Sequence, residues 1–588
     1  MTAFTPRYTN LVTMFRESTQ RFAERPFVGV RRDGWRWHTY AEVGKMVADC
    51  RAGLAALGVT AGDRVGVISN NRLEWLVGCY ATHSLGAAYV PMYENQLDKE
   101  WRYILGDSGA KVCLVASAAA EKRVRALLPE LPGVRHVVGF DDAGETGFAR
   151  LLENGAKTPT PAVEPQPKDL AQIVYTSGTT GNPKGVCLSH ENLASGVQSA
   201  TLVIPFTTDD RTLAFLPWAH VFGGNDETNT IMCIGASMAI CEQPEKLLEM
   251  IAEVQPTILV AVPRIWNKIH GAVLRSIEAQ PRPFQRLFAR AMSAASRQRA
   301  GQPVGVLDRV ALAFARRTIF AKVVARFGGR LKWAVSGAAA LSREVAEFVD
   351  NLGIVVFEGY GMTESSGVAT VNTPGARRIG SVGKAIPGVT VTLDHAAPGA
   401  DESQGEVIIK GHCVMLGYYN KPDDTKATFT DDGALRTGDL GRIDDDGFLY
   451  ITGRVKELYK LENGKYIAPA PLEEQITLSP YIAQAMVHGA NRPYNVALIV
   501  PDLGALKEWG AKHGVAGDQL LTDAGVQKLI AGELERHSTE WKGFERVKRF
   551  MIIDEEFTTA NDMLTPTLKV KRRNVLKRYE DRIASLYG

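Results

Sequence analysis

Between residues 40 and 140 the apolar positions alternate between a helical and a strand-like period. In YAEVGKMVADCRAGLAALG the apolar residues recur at helical spacing, Thr39 and Glu42 have capping-box spacing at its start, and Gly58 stands where a helix would end. RVGVIS at 64–69 and AKVCLVA at 110–116 are apolar runs of strand length, with the helical LEWLVGCYATHSLG between them. Such alternation predicts an α/β unit, a parallel sheet covered by helices. Pro159, Pro161, Pro165 and Pro167 then predict an extended connector, followed by DLAQIVYT as a buried strand. From about 271 to 330 the pattern is helical and strongly basic, with twelve Lys and Arg against Glu278 and Asp308. Two readings stand for that segment: a solvated arginine-rich face, or a surface meeting anionic lipid heads or phosphorylated ligands. Beyond residue 376 short strands and turns such as PGV and DDDG predict a small β-rich unit. After Arg454 comes a mixed segment ending in a basic helix.

Composition narrows this picture little. A chain of 588 residues exceeds one compact domain, and a net charge of +3 gives no footprint for nucleic acid. The seven cysteines are scattered and form no C-x-x-C pair, against a zinc site or disulfide framework and in favour of a reducing, cytoplasmic setting. No apolar run approaches the roughly 18–20 residues of a membrane span, and the N-terminus has no signal-peptide pattern.

Chemistry concentrates after the buried strand. In SGTTGNPKG, Ser177, Thr179 and Thr180 sit between Gly178 and Gly181, with Thr176 before them and Lys184 beyond. Glycines free backbone N–H groups to turn toward a ligand, hydroxyls add donors and lysine adds charge, a set suited to a polyphosphate. The loop is not a Walker A motif: that register needs Gly at 183 and a hydroxyl at 185, where the chain has Pro183 and Gly185. There is no G-x-S-x-G nucleophile elbow either.

YTSGTTGNPKGV closely resembles the signature of the adenylate-forming superfamily, which includes acyl-CoA synthetases, luciferases and peptide-synthetase adenylation domains. Further motifs extend the resemblance over nearly the whole chain. FEGYGMTESSG at 357–367 is similar to a segment whose tyrosine lies against adenine (Tyr360), whose threonine meets the α-phosphate (Thr363) and whose glutamate holds Mg²⁺ (Glu364, with Thr176); Glu358, Gly359 and Gly361 flank it. VSGAAA at 335–340 resembles the backbone bordering adenine, centred on Gly337 and Ala338. RTGDLGRID at 436–444 resembles the segment whose aspartate, here Asp439, accepts from both ribose hydroxyls, a job for which a carboxylate's acceptor capacity is suited. ITGRVKELYKLENGKYIAP resembles the hinge to a C-terminal lid: Ile451 and Arg454 would border the nucleotide, Lys456 would be the pivot and Gly464 would approach the pantetheine arm. LTPTLKVKRR at 564–573 falls where relatives carry a lysine that contacts both α-phosphate and acyl carboxylate. It departs from the common pattern, with Leu568 in place of glycine, and selects Lys569 with Lys571 in reserve, leaving Arg572 and Arg573 as a basic helix face. LPWAHVFGG resembles the segment carrying a gate beside the acyl pocket, with His220 as gate and Trp218 or Phe222 lining the tunnel.

The T-P-T-L-K variant resembles the long-chain fatty acyl-CoA synthetase branch. The resemblance implies a large N-terminal domain, 1–455, of helix-covered parallel sheets with a β-rich subdomain at about 376–455. A mobile α+β C-terminal lid, 456–588, would follow. It further implies ATP converted to AMP, Mg²⁺ and coenzyme A as cofactors, and a fatty acid as substrate. A peripheral membrane contact through 271–330 and a homodimer are further expectations. Two alternatives remain: a fatty acyl-AMP ligase that passes its acyl group to a carrier-protein thiol, and a non-catalytic scaffold on the same fold.

Overall fold

The computed structural model describes residues 4–176, 182–243, 246–515, 517 and 519–588. Ser177, Gly178, Thr179, Thr180 and Gly181, the centre of the glycine-rich motif, lie outside the described residues.

The alternation read at 40–140 folds as expected. Helix Tyr40–Ala56 opens on a complete capping box, Thr39 accepting from the Glu42 N–H and Glu42 from the Thr39 N–H. Leu170–Thr176, Ala88–Met92, Arg64–Ile68, Val112–Val115 and His136–Gly139 lie in that order across one sheet, each parallel to its neighbour, and their inward residues are almost wholly buried. The sheet is not parallel throughout. Leu170–Thr176 turns back on Lys184–Ser189, antiparallel, with Thr176 opposite Lys184, and Gly417–Tyr418 extends that edge to make seven strands. The two strands that flank the signature motif are therefore antiparallel neighbours in one ladder.

A second sheet sets Ile258–Ala261, Trp333–Ser336 and Val356–Met362 parallel, then reverses into Gly367–Val371. Its strand ends deliver VSGAAA and FEGYGMTE side by side. A four-stranded antiparallel sheet of Val389–Asp394, Gly405–Gly411, Leu435–Ile443 and Leu449–Arg454 is the β-rich unit read from 376 onward, and Asp444–Gly447 is its hairpin turn. The C-terminal unit packs helices such as Pro469–Ile476 and Ala524–His537 on a three-stranded sheet, with its own apolar cores around Ile499 and Phe557.

Two expectations are corrected by packing. Trp218 does not line a tunnel: it is 2% exposed and packs against Trp75, ring centroids 5.4 Å apart. Arg572 is not part of a solvated face, since its guanidinium pairs with the buried Glu473 and donates to the Val487 carbonyl at 3.2 Å. None of the seven cysteines is in a disulfide. Among the described residues, no helix is long and apolar enough to cross a membrane.

Candidate active site

His220 begins the approach to the site. After it, Phe222–Glu227 winds as a wide π-type helical turn, a device common at functional sites. Gly224 permits it, because a Cβ there would overlap the Trp218 carbonyl. The turn presents Phe222 and Asp226 to a cavity whose empty space is about 740 Å³, the solvent at its mouth included. One wall is apolar and comes from Val197 and Ala200 on helix His190–Thr201, Ile204 just beyond it, and Phe206, Val260 and Val335. The other comprises Gly337, Ala338, Gly359, Tyr360, Gly361 and Met362. The Phe222 ring lies over Gly337, where a Cβ would come within 3.1 Å of it. Ala338 holds a left-handed φ of 67°. Gly337, Ala338, Tyr360 and His220 thus border one space.

At its polar end the Tyr360 hydroxyl donates to Asp439 at 2.7 Å, and Arg454 Nε donates to the other Asp439 oxygen at 2.6 Å. Burial, then the Asp439 charge, raises the Tyr360 pKa well above the phenol range, so the hydroxyl stays a donor. Asp439 raises the Arg454 pKa in turn. Thr363 and Glu364 are nearly buried, and Glu364 Oε1 accepts from the Tyr418 hydroxyl at 2.8 Å. Lys184 ion-pairs with Asp424, and Tyr418 lies beneath its ammonium, 5.0 Å from the ring centroid. A polyphosphate would compete with Asp424 for that ammonium.

Lys569 arrives from the other domain. It stands exposed on a tight hairpin; partial dehydration of its amine, and then Arg454, lower its pKa, while Asp439, Glu457 and Glu364 pull it up. Burial, and then Lys569, push the His220 pKa down to about 4, leaving the imidazole neutral at pH 7. Lys569, His220, Arg454, Asp439 and Glu364 therefore share one electrostatic neighbourhood. Lys571 points elsewhere, to Asp562 at 2.5 Å.

Other expected residues sit outside the cavity wall. The Glu358 side chain turns away to accept from the Gly380 N–H at 3.1 Å, and burial pushes its pKa up to about 7. Burial, and then Glu358, push Glu474 of the C-terminal unit up to about 8. Ile451 packs against the main core, Lys456 is exposed in the turn Val455–Glu457, and Gly464 is at the tip of a two-stranded ribbon with φ +80°. Sequence reasoning missed Tyr418 and Asp424, which orient Glu364 and Lys184, and Asp226, whose pKa burial raises well above the carboxylate range. The GYYNKPDD run carried the first two, but a hydroxyl on a short strand and a carboxylate on a short helix signal nothing without their partners.

The model of the AMP-binding enzyme family matches residues 15–419, and that of its C-terminal domain matches 457–588. The chain belongs to the AMP-binding enzyme family. Long-chain-fatty-acid–CoA ligase FadD15 of Mycobacterium bovis is 33% identical over 94% of this AMP-binding enzyme and 93% of its own length. The peroxisomal long chain acyl-CoA synthetase 7 of Arabidopsis thaliana is 30% identical over 99% and 87%. Among solved structures, the adenylation domain of the carboxylate reductase from Mycobacterium chelonae superposes with a TM-score of 0.82 at 22% identity, covering 99% of this chain and 92% of that one. That likeness concerns the fold.

Proposed function

We propose that this AMP-binding enzyme is a long-chain fatty acid–CoA ligase that forms acyl-AMP from ATP and then an acyl-CoA thioester. The observation that carries the proposal is the apolar cavity running from helix His190–Thr201 to His220 and Gly337, with Lys569 near enough to His220, Arg454 and Asp439 for their charges to influence one another. The cavity would hold the acyl chain and keep its carboxylate dry. A carboxylate oxygen attacks the α-phosphorus, the bond to the β-phosphate breaks, and pyrophosphate leaves. Lys569 would hold carboxylate and α-phosphate together and offset the negative charge gathered between them. Tyr360, Gly337 and Ala338 would frame the adenine, Asp439 would accept from the ribose, Thr363 would donate to the α-phosphate, and Lys184 would grip the leaving pyrophosphate. In the second step the CoA thiolate attacks the acyl carbon, the carbon–oxygen bond to phosphate breaks, and AMP departs.

Glu364 and Thr176 offer hard oxygen ligands of the kind Mg²⁺ accepts alongside phosphates, and Glu364 is already oriented by Tyr418. The ion, when bound, would neutralise phosphate charge. Product analysis with palmitate, ATP and CoA tests the reading: palmitoyl-CoA, AMP and pyrophosphate are expected. Accumulated palmitoyl-AMP would instead identify a carrier-protein acyl-AMP ligase, and absent pyrophosphate exchange a scaffold.

The basic helical segment supports a peripheral lipid contact. Helix Val306–Ala315 leaves Val306, Leu307, Val310 and Phe314 54–75% exposed, with Arg309, Arg316 and Arg317 around them. Not every arginine there is free: Arg290 and Arg297 pair with Asp308, and Arg299 with Glu347 and Asp350. Co-sedimentation with anionic but not zwitterionic vesicles, lost in Leu307→Ser/Phe314→Ser, is the expected result.

A further inference from the structure

Lys569 is only as well placed as the hairpin that carries it. That hairpin is tight: Leu564 bridges Val570, the Thr565 N–H donates to the Lys569 carbonyl at 2.8 Å, and the Lys569 N–H donates to Thr565 Oγ1 at 3.0 Å. At its base, Asp562 sits in a left-handed turn of φ 60°, its carbonyl taken by Asn574 Nδ2 at 2.7 Å. Lys571 then closes the base, Nζ to Asp562 Oδ1 at 2.5 Å and N–H to the Met563 carbonyl at 2.8 Å.

Asp562 has a second oxygen, and it meets the large domain. Lys99 Nζ lies 2.9 Å from Asp562 Oδ2, and Glu100 Oε1 lies 3.7 Å from Lys571 Nζ. Lys99 and Glu100 occupy the first turn of helix Asp98–Ser108, and Glu100 is itself fixed because Oε2 caps the Leu97 N–H at 3.1 Å. The four side chains alternate in sign, Lys99, Asp562, Lys571, Glu100, and two of the three contacts cross between domains. We infer that these four residues are a clamp that positions the Lys569 hairpin over the nucleotide, and that Lys99 and Glu100 are positioning residues for the first half-reaction.

The inference rests on the proposed role of Lys569. The clamp can close only in the domain arrangement described here, so it biases the enzyme toward adenylate formation. A lid that turns away for the second half-reaction must break both cross-domain contacts. Lys99 is 58% exposed, so its pair adds little to overall stability. A bias between two lid positions needs no more than such a pair supplies.

The test uses the full-length enzyme and separates the half-reactions: palmitate-dependent exchange of labelled pyrophosphate into ATP, and single-turnover conversion of supplied palmitoyl-AMP to palmitoyl-CoA. Lys99→Glu, which faces a carboxylate toward Asp562, should slow exchange about 3- to 30-fold, with thioester formation unchanged or faster and Tm unchanged. Lys99→Arg should restore exchange to within about twofold of wild type. Lys569→Ala is measured alongside. If it spares exchange, the reading of Lys569 fails and the clamp with it. If it abolishes exchange while Lys99→Glu leaves exchange within about twofold, or Lys99→Glu slows both half-reactions equally, the clamp alone is overturned.

Discussion

Replacing Lys569 by alanine should separate the two half-reactions of this enzyme. The side chain projects from a hairpin whose shape is set by backbone and Thr565 hydrogen bonds, so its removal leaves the loop in place. As an exposed residue it should shift stability by no more than about 0.5 kcal/mol. On the proposed role, what is lost is one charged donor aimed at developing negative charge, for which the scale is about 10²–10³ in rate, or roughly 2.7–4 kcal/mol. The neighbouring Arg454 still supplies positive charge, so the lower part of that range is expected. Palmitate-dependent pyrophosphate exchange should therefore fall about 100-fold, while supplied palmitoyl-AMP is still converted to palmitoyl-CoA at near the wild-type rate. A pH arm checks the same residue. Dehydration lowers the Lys569 pKa, so raising the pH removes its charge before an ordinary lysine would titrate. Exchange should lose activity on an alkaline limb below the usual lysine range, a limb that Lys569→Arg moves upward and Lys569→Ala lacks. Equal loss of both half-reactions, or an unchanged limb in the alanine variant, would refute the reasoning.

Three further outcomes are expected. Asp439→Asn keeps the shape but removes the charge that Arg454 and Tyr360 face, and should raise the KM for ATP about 10-fold or more, measured by pyrophosphate exchange at saturating palmitate. Ala200→Phe fills the apolar end of the cavity and should shift the preference from C16 toward C8–C10 acids, with Tm recorded to exclude misfolding. Glu227 is 1% exposed, accepts from Thr212 Oγ1 at 2.7 Å, and is pushed up to about 8 by burial. The unfolded chain ionises this group near pH 4.5 while the folded one keeps its proton, so its contribution to stability falls as pH rises from there toward 8, at most about 1.4 kcal/mol per unit. Glu227→Gln should remove that slope, seen as a Tm gain over wild type that grows between pH 5 and pH 8.

Local pattern made much of this protein legible. The capping box at Thr39 and the buried strand ending at Thr176 depend on neighbours a few residues away, and a sequence lists those neighbours directly. The stretch expected to meet a nucleotide is local for the same reason: Tyr360, Thr363 and Glu364 lie close together, on a strand-and-turn path that carries Tyr360 to the cavity and buries Thr363 and Glu364.

Contacts between distant segments were decided only by the tertiary structure. Phe222 and Trp218 lie four residues apart in one motif, yet the π-type turn sends one ring to the cavity and the other into the core beside Trp75. Lys569 and Lys571 were close to equivalent as letters. The hairpin made them different, raising one amine toward Arg454 and Asp439 and tying the other to Asp562. Arg572, legible only as another basic residue, became the partner of the buried Glu473 across 99 positions of chain. Charge and hydrophobicity are properties of a residue and can be read in order along the chain. Which carboxylate faces which lysine is a property of two chain segments meeting, and only folding brings them together.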